Sequence, residues 1–272
     1  MTQKEKADRF QALHQSKDVL LFPNPWDGGS ARLLENLGYR ALATSSAACA
    51  ATLGRRDGKI TRDEALAHCR QIVQATNLPV AADLENGFAV KPTTVAETIR
   101  LAAAAGLVGG SIEDSTGDKD KPQYDLSLAT DRIAAAVSAA RALPFHFTLT
   151  ARAENFFQGN RDLDDTIKRL VAYEQAGADV LFAPALPDLA AVREVCSAVR
   201  KPVNFMVGIK GKSFTVAELT AIGVKRISFA SSLYRAAMSG FLNAAQEISA
   251  SGSFNYLDTT MTTAQLNEFL SS

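Results

Sequence analysis

Four stretches of this chain finish in the same way: Leu37-Gly38-Tyr39, Ala105-Gly106-Leu107, Ala176-Gly177-Ala178 and Ile222-Gly223-Val224. Each closes a helix-period run. The glycine can take the left-handed conformation that ends a helix, and the apolar residue after it enters a strand. The beat extends along most of the chain. Short β-rich runs at 19–22, 39–43, 80–82, 109–112, 145–149, 180–182, 203–206 and 226–229 alternate with helical patterns at 30–37, 62–75, 93–105, 126–142, 163–176, 189–199, 215–222 and 233–250. Short strands separated by helices run parallel, because a parallel pair needs a crossover. Eight such units in 272 residues predict an α/β fold of the (β/α)8 TIM barrel type. An open doubly wound sheet is the alternative. It calls for fewer strands or a G-x-G-x-x-G turn after the first, and FPNPWDGGS at 22–30 does not supply one.

No low-complexity tract or proline-rich linker divides the chain, so residues 1–250 read as one barrel domain. Residues 251–272 fall off the beat and read as a C-terminal extension. Thr262 or Thr263 could cap a short helix there through Leu266, Phe269 and Leu270, packing on the barrel or on a neighbouring subunit.

The 29 basic and 29 acidic residues cancel, so no field favours a nucleic acid or an acidic membrane surface. The charged start, MTQKEKADRFQALHQ, and the lack of any long apolar run predict a cytoplasmic protein with no membrane partner. Cys49, Cys69 and Cys196 are far apart and lack metal or disulfide spacing, so they read as reduced packing residues. None of the three histidines, His14, His68 and His146, is spaced for a triad or a metal pair.

In a (β/α)8 barrel the chemistry sits at the C-terminal ends of the strands. Polar residues fall there repeatedly: Asp27 after the first strand, Thr44-Ser45-Ser46 after the second, Asp83 and Glu85 after the third, Glu113 and Asp114 after the fourth, Arg152 and Glu154 after the fifth. Two carboxylates about 4 Å apart repel by ~4 kcal/mol at an effective dielectric near 20, so the cluster calls for a positive partner. Mg²⁺ suits it, with Asp83 as the direct ligand and Glu85 and Glu113 holding its waters; Mn²⁺ would serve as an equivalent ion. The same acids would also serve as helix caps or as partners of Arg55, Arg56, Arg62 and Arg152. The planar fork of Arg152 suits a substrate carboxylate, or it neutralises Glu154 or Glu113. Thr44-Ser45-Ser46 either holds a second oxyanion or packs a tight turn.

These residues sit in motifs that resemble the isocitrate lyase/phosphoenolpyruvate mutase superfamily from about Leu20 to Ile248. The motifs are NPWDGGSARLLENLGYRALATSS, LGRRDG, AADLENGF in place of D-A-D-x-G-[FY]-G, GGSIED, TARAENF and YEQAGADVLF, in that order. The resemblance implies a barrel whose last helix is exchanged between subunits of a homotetramer, a dimer of dimers. It also implies Mg²⁺, and a lyase or decarboxylase that cleaves or forms a carbon–carbon bond beside the keto group of a small 2-oxo or 2-hydroxy acid through an enolate. It assigns Asp83, Glu85 and Glu113 to the metal, and Trp26, Asp27, Ser45, Ser46, Ala47 and Arg152 to the substrate. Arg152, Glu113, Asp57 and Lys119 would be catalytic, Lys119 falling where a mutase carries a lysine.

The departures narrow the activity. Isocitrate and methylisocitrate lyases carry K-[KR]-C-G-H after the Glu113 position, whereas EDSTGDKDKPQYD has neither cysteine nor histidine. Phe182-Ala183-Pro184 replaces a histidine or glutamate after the sixth strand, and Glu85 replaces an aspartate. Carbon–phosphorus chemistry on a phosphonopyruvate and a non-catalytic binding barrel remain the alternatives.

Overall fold

The computed structural model describes residues 1–212 and 214–270. Its strands are β1 (Leu20–Phe22), β2 (Leu42–Ala43), β3 (Val80–Asp83), β4 (Gly109–Glu113), β5 (Thr148–Arg152), β6 (Val180–Phe182), β7 (Val203–Met206) and β8 (Arg226–Ser228). All seven recorded ladders are parallel, in the order β1-β8-β7-β6-β5-β4-β3-β2. The two ends of the sheet then meet. Ala43 N–H donates to the Pro23 carbonyl at 2.9 Å, and Asn24 bridges the seam by donating to Thr44 O at 2.9 Å and accepting from Phe229 N–H at 2.8 Å. The result is a nearly closed (β/α)8 barrel.

The helices are α1 (Gln3–Gln15), α2 (Gly28–Asn36), α3 (Ser46–Thr52), α4 (Arg62–Ala75), α5 (Pro92–Ala104), α6 (Leu126–Arg141), α7 (Leu163–Gln175), α8 (Leu189–Ala198), α9 (Val216–Ala221), α10 (Ser232–Ser251) and α11 (Thr263–Leu270). Gly38, Gly106, Gly177 and Gly223 all have φ between +85° and +101°, the left-handed closure that the sequence predicts.

Besides α11 in the tail, two helices lie outside the predicted beat. α1, started by a Thr2/Glu5 capping box, packs Ala7, Phe10 and Leu13 against Leu20, Phe22, Ala43 and Ala81 of the first strands. It therefore closes one end of the barrel. Gly109 is required for this plug, because a Cβ there would lie 3.0 Å from Phe10 and 2.8 Å from the Thr148 carbonyl oxygen. α3, capped by Ser45, is the short helix that carries the start of the site.

The fifth strand is displaced from its expected span: 145–149 becomes Thr148–Arg152. Apolar content alone does not fix where such a run pairs. The register with β4, in which Glu113 faces Arg152, selects the later residues. His146 is left before the strand, 3.7 Å from Asp179.

In the tail, Thr262 caps α11 in a reciprocal pair with Gln265. α11 rests on α2, where Arg32 donates to the Leu270 carbonyl at 3.1 Å and Asn36 to that of Phe269. The last two residues of the extension lie outside the described residues. α10 contrasts with the other barrel helices: none of its 20 residues is buried. All three cysteines are free, and Cys49 and Cys69 are buried. Among the described residues no helix is long and apolar enough to cross a membrane.

Candidate active site

A cavity of about 470 Å³ opens at the C-terminal ends of the strands and runs down into the barrel. Asp83, the last residue of β3, is held from two sides: Oδ2 accepts from Ser46 N–H and Oδ1 from Glu85 N–H, both at 3.2 Å. Its own amide donates to Thr44 Oγ1 at 3.1 Å. The loop after it turns sharply, with Glu85, Gly87 and Phe88 at φ +48°, +74° and +56°. Left-handed backbone at a glutamate is uncommon, and here it aims the carboxylate inward. Arg132, buried and stacked over the Tyr124 ring, pins that loop by donating to the carbonyls of Asn86, Ala89 and Glu113.

Arg152 stands at the centre. Its Nη1 lies 3.4 Å from Glu113 Oε2 and 4.0 Å from Asp83 Oδ2, and its Nε is paired with Glu154. One guanidinium thus faces three carboxylates, with Glu85 and Asp57 adding to the excess negative charge. Burial and this crowding together shift the carboxyl groups. Burial pushes Glu85 up to about 7, reinforced by Asp83 and Asp57 and opposed by Arg152. Burial also holds Glu113 well above the ordinary carboxylate range, against the pull of Arg152. Asp57, at the exposed rim, is raised by desolvation and by Asp83, against a hydrogen bond from the Ser46 hydroxyl.

Behind the site, Asp114 is structural. It accepts from Glu154 N–H at 2.9 Å, Arg169 Nη1 at 3.0 Å and Tyr173 OH at 2.7 Å, tying β4 to the β5 loop and α7.

The carboxylate cluster fits a divalent cation. Glu85 Oε1 is buried with no hydrogen-bond partner, and a buried carboxylate oxygen left bare is costly. Among the described residues, however, no three His, Cys, Asp or Glu side chains are grouped closely enough to hold an ion directly. One direct carboxylate with the others acting through water satisfies both observations, and that is the coordination habit of Mg²⁺.

Of the sequence-predicted residues, Ser45, Ser46, Ala47, Asp57, Asp83, Glu85, Glu113 and Arg152 line the one cavity. Trp26, Asp27 and Lys119 do not line it. Trp26 packs edge-on against Tyr234, ring centres 5.6 Å apart, and its carbonyl faces His68 Nε2 at 2.8 Å. Asp27 is spent as the cap of α2, accepting from Ser30 N–H at 2.7 Å. Lys119 lies on the exposed loop after β4. Sequence reasoning missed Asn24, Thr150, Asn204, Arg226 and Ser228, which line the same cavity. Their signal was the alternation of polar with apolar residues in V-N-F-M and R-I-S, since a charged residue inside a buried strand has to face something polar.

The sequence profile of the family described as phosphoenolpyruvate phosphomutase matches residues 10–249. The chain belongs to the phosphoenolpyruvate mutase/isocitrate lyase superfamily. Within this superfamily of lyases and mutases, it is similar to 2-methylisocitrate lyase of Escherichia coli K12, at 32% identity over 84% of this chain and 79% of that one. A crystal structure from Burkholderia cenocepacia J2315 superposes with a TM-score of 0.97 at 51% identity, covering 99% of this chain and 97% of the other. Another superfamily member, 2,3-dimethylmalate lyase, superposes with a TM-score of 0.86 at 26% identity, covering 97% and 94%.

Proposed function

We propose that the protein is a Mg²⁺-dependent carbon–carbon lyase or decarboxylase acting on a small 2-oxo or 2-hydroxy acid through an enolate. The observation that carries the reading is the bare, buried Glu85 Oε1 in a carboxylate cluster served by a single arginine. A Mg²⁺ bound beside Asp83 would draw electron density from the carboxylate and keto oxygens of the substrate, so that the electrons of the breaking bond can be accommodated as an enolate. The chain supplies the rest. Arg152 stays charged at any working pH and presents its remaining donors to the substrate carboxylate. Ser45, Ser46 and Ala47 line the cavity at the first turn of α3, where a hydroxyl, or an amide not already held by Asp83 or by the Ser45 cap, can meet an oxyanion. Glu113, partly buried beside Arg152 and open to the cavity, is the group we assign to hold the proton that the carbon gains or loses.

The segment EDSTGDKDKPQYD still lacks the lyase cysteine, so methylisocitrate cleavage does not carry over from the Escherichia coli relative. Lys119 was the local support for carbon–phosphorus chemistry, and its position on an exposed loop outside the cavity gives that reading no further support. Purified protein with Mg²⁺, offered oxaloacetate and branched 2-hydroxy diacids, is expected to release pyruvate or a related oxo acid, and chelation is expected to stop it. Thermal stabilisation by the same acids with no turnover would instead indicate a binding barrel.

The ion also predicts a pH signature. A carboxyl raised from 4.5 to about 7 in the folded state binds more protons folded than unfolded, so its contribution is complete at low pH and is lost as pH rises through that window. The Tm of chelator-treated protein is expected to fall between about pH 5 and pH 7.5, while the increment added by Mg²⁺ grows over the same range. A Mg²⁺ increment that ignores pH would remove the ion from this cluster.

The reading extends to assembly: a homo-oligomer, a dimer of dimers, in which α10 is exchanged between neighbours. In support, α10 leaves Phe241 64% and Leu242 53% exposed, an apolar face too large to leave in water. Placing aspartate at both positions is expected to reduce the mass seen by light scattering to that of a single chain; an unchanged monomeric mass in the parent protein would refute the assembly.

A further inference from the structure

The floor of the cavity differs chemically from its mouth. Arg226, the first residue of β8, is 4% exposed and sits beside Asn204 of β7 in the sheet register. Its Nε donates to Asn204 Oδ1 at 2.8 Å and its Nη2 to Thr150 Oγ1 at 3.0 Å, while the guanidinium lies 5.0 Å over the Phe22 ring. Nη1 lies 3.3 Å from His14 Nε2. The other nitrogen of that ring is 2.8 Å from the Phe10 carbonyl, so the network assigns the hydrogen to Nδ1 and leaves Nε2 as a neutral acceptor.

Every partner of Arg226 is therefore uncharged, and three of its five N–H donors are used. Among the described residues no carboxylate lies within ion-pair distance of it, whereas Arg152 at the mouth faces three. Burial without a counter-charge pushes the guanidinium down to about 9. A buried cation that serves only the fold is ordinarily paired, because leaving it unpaired costs several kcal/mol. Here the missing anion has a way in. Arg226, Asn204, Thr150 and Ser228 line the same cavity as Asp83 and Glu113. Ala43 and Ala81 also line it, small residues in an interior that bulky branched side chains ordinarily fill.

We propose that Arg226, Asn204 and Thr150 form an anion subsite at the floor of the barrel that takes the distal carboxylate of the substrate, selecting 2-oxo and 2-hydroxy diacids that span the cavity from mouth to floor. Thr150 and Arg152 are two residues apart on β5, roughly 6–7 Å, which is the reach of a short dicarboxylate. The subsite rests on the reading of the mouth as the 2-oxo acid site, and the test separates the two.

Titration calorimetry with Mg²⁺ compares 2-oxoglutarate with 2-oxopentanoate, and oxaloacetate with 2-oxobutyrate, pairs that differ only by a carboxylate in place of a methyl. Oxalate, too short to reach the floor, reports on the mouth alone. The parent protein is expected to prefer at least one diacid over its partner by about tenfold or more. Arg226→Met, and separately Asn204→Asp, which sets a carboxylate against the guanidinium without removing it, are expected to abolish that preference while oxalate affinity is unchanged. A preference that survives both substitutions overturns the subsite, as does its absence in the parent, or an oxalate affinity that falls in step with it. If oxalate itself fails to bind the parent, the mouth reading is wrong and the floor proposal falls with it; if oxalate binds and the diacid preference is absent, only the floor proposal falls.

Discussion

Replacing Asp83 with asparagine is expected to lower kcat/KM by about 10³-fold or more, since it removes the carboxylate that we propose binds the ion directly. Both oxygens of Asp83 are already oriented by backbone amides, at 3.2 Å each, so the group is aimed before any ligand arrives. The fold should tolerate the change. Asp83 is one of the charges that push Glu85 upward, and relieving a like-charge contact stabilises a metal-free cluster. The D83N protein should therefore be as stable as the parent without metal or more so, yet gain little Tm from Mg²⁺. Turnover within about tenfold of the parent would show that another group holds the ion.

The second large effect is on stability. Arg152→Met leaves Glu154, 1% exposed, and Glu113 facing each other with no counter-charge. Breaking a buried ion pair from one side costs about 3–5 kcal/mol, because the remaining charge is stranded. Urea unfolding near pH 7 should show that loss, together with loss of turnover. The sign with pH follows from the direction of the shifts. Burial already raises Glu113 and Glu154, so lowering the pH protonates the stranded acids and should restore part of the lost stability. Arg152→Lys should not rescue either property. A single ammonium cannot reproduce a planar group whose Nε serves Glu154 while Nη1 serves Glu113. An R152M protein as stable as the parent would mean that these carboxylates are protonated or solvated in the native state.

How far the site was legible depends on which atoms each residue uses. Asp83, Glu85, Glu113 and Arg152 stand at or just after strand ends, and the strand-to-mouth rule of a barrel gathers such positions whatever the loops do. Asp27 stands after β1 in the same way, but its side chain caps α2. A strand-end position does not reveal whether a local amide captures the carboxylate first. Lys119 matched a spacing from Glu113, but distance along a loop is not distance in space. Arg226 was overlooked for the opposite reason: it begins a strand, away from the rim, and its long side chain carries the charge inward.

By itself, the sequence determined the eightfold alternation, the glycine-closed helices and the ring of acids with one arginine, because periodicity, left-handed backbone and strand-end polarity are local properties of a chain. Tertiary structure alone decided the rest. It set the register that makes Arg152 the last residue of β5, the seam closed through Asn24, the plug formed by α1, and the unpaired cation beneath the cavity. Each of these depends on which distant side chains meet, and the free energy of such a meeting comes from burial and pairing between segments far apart in the chain.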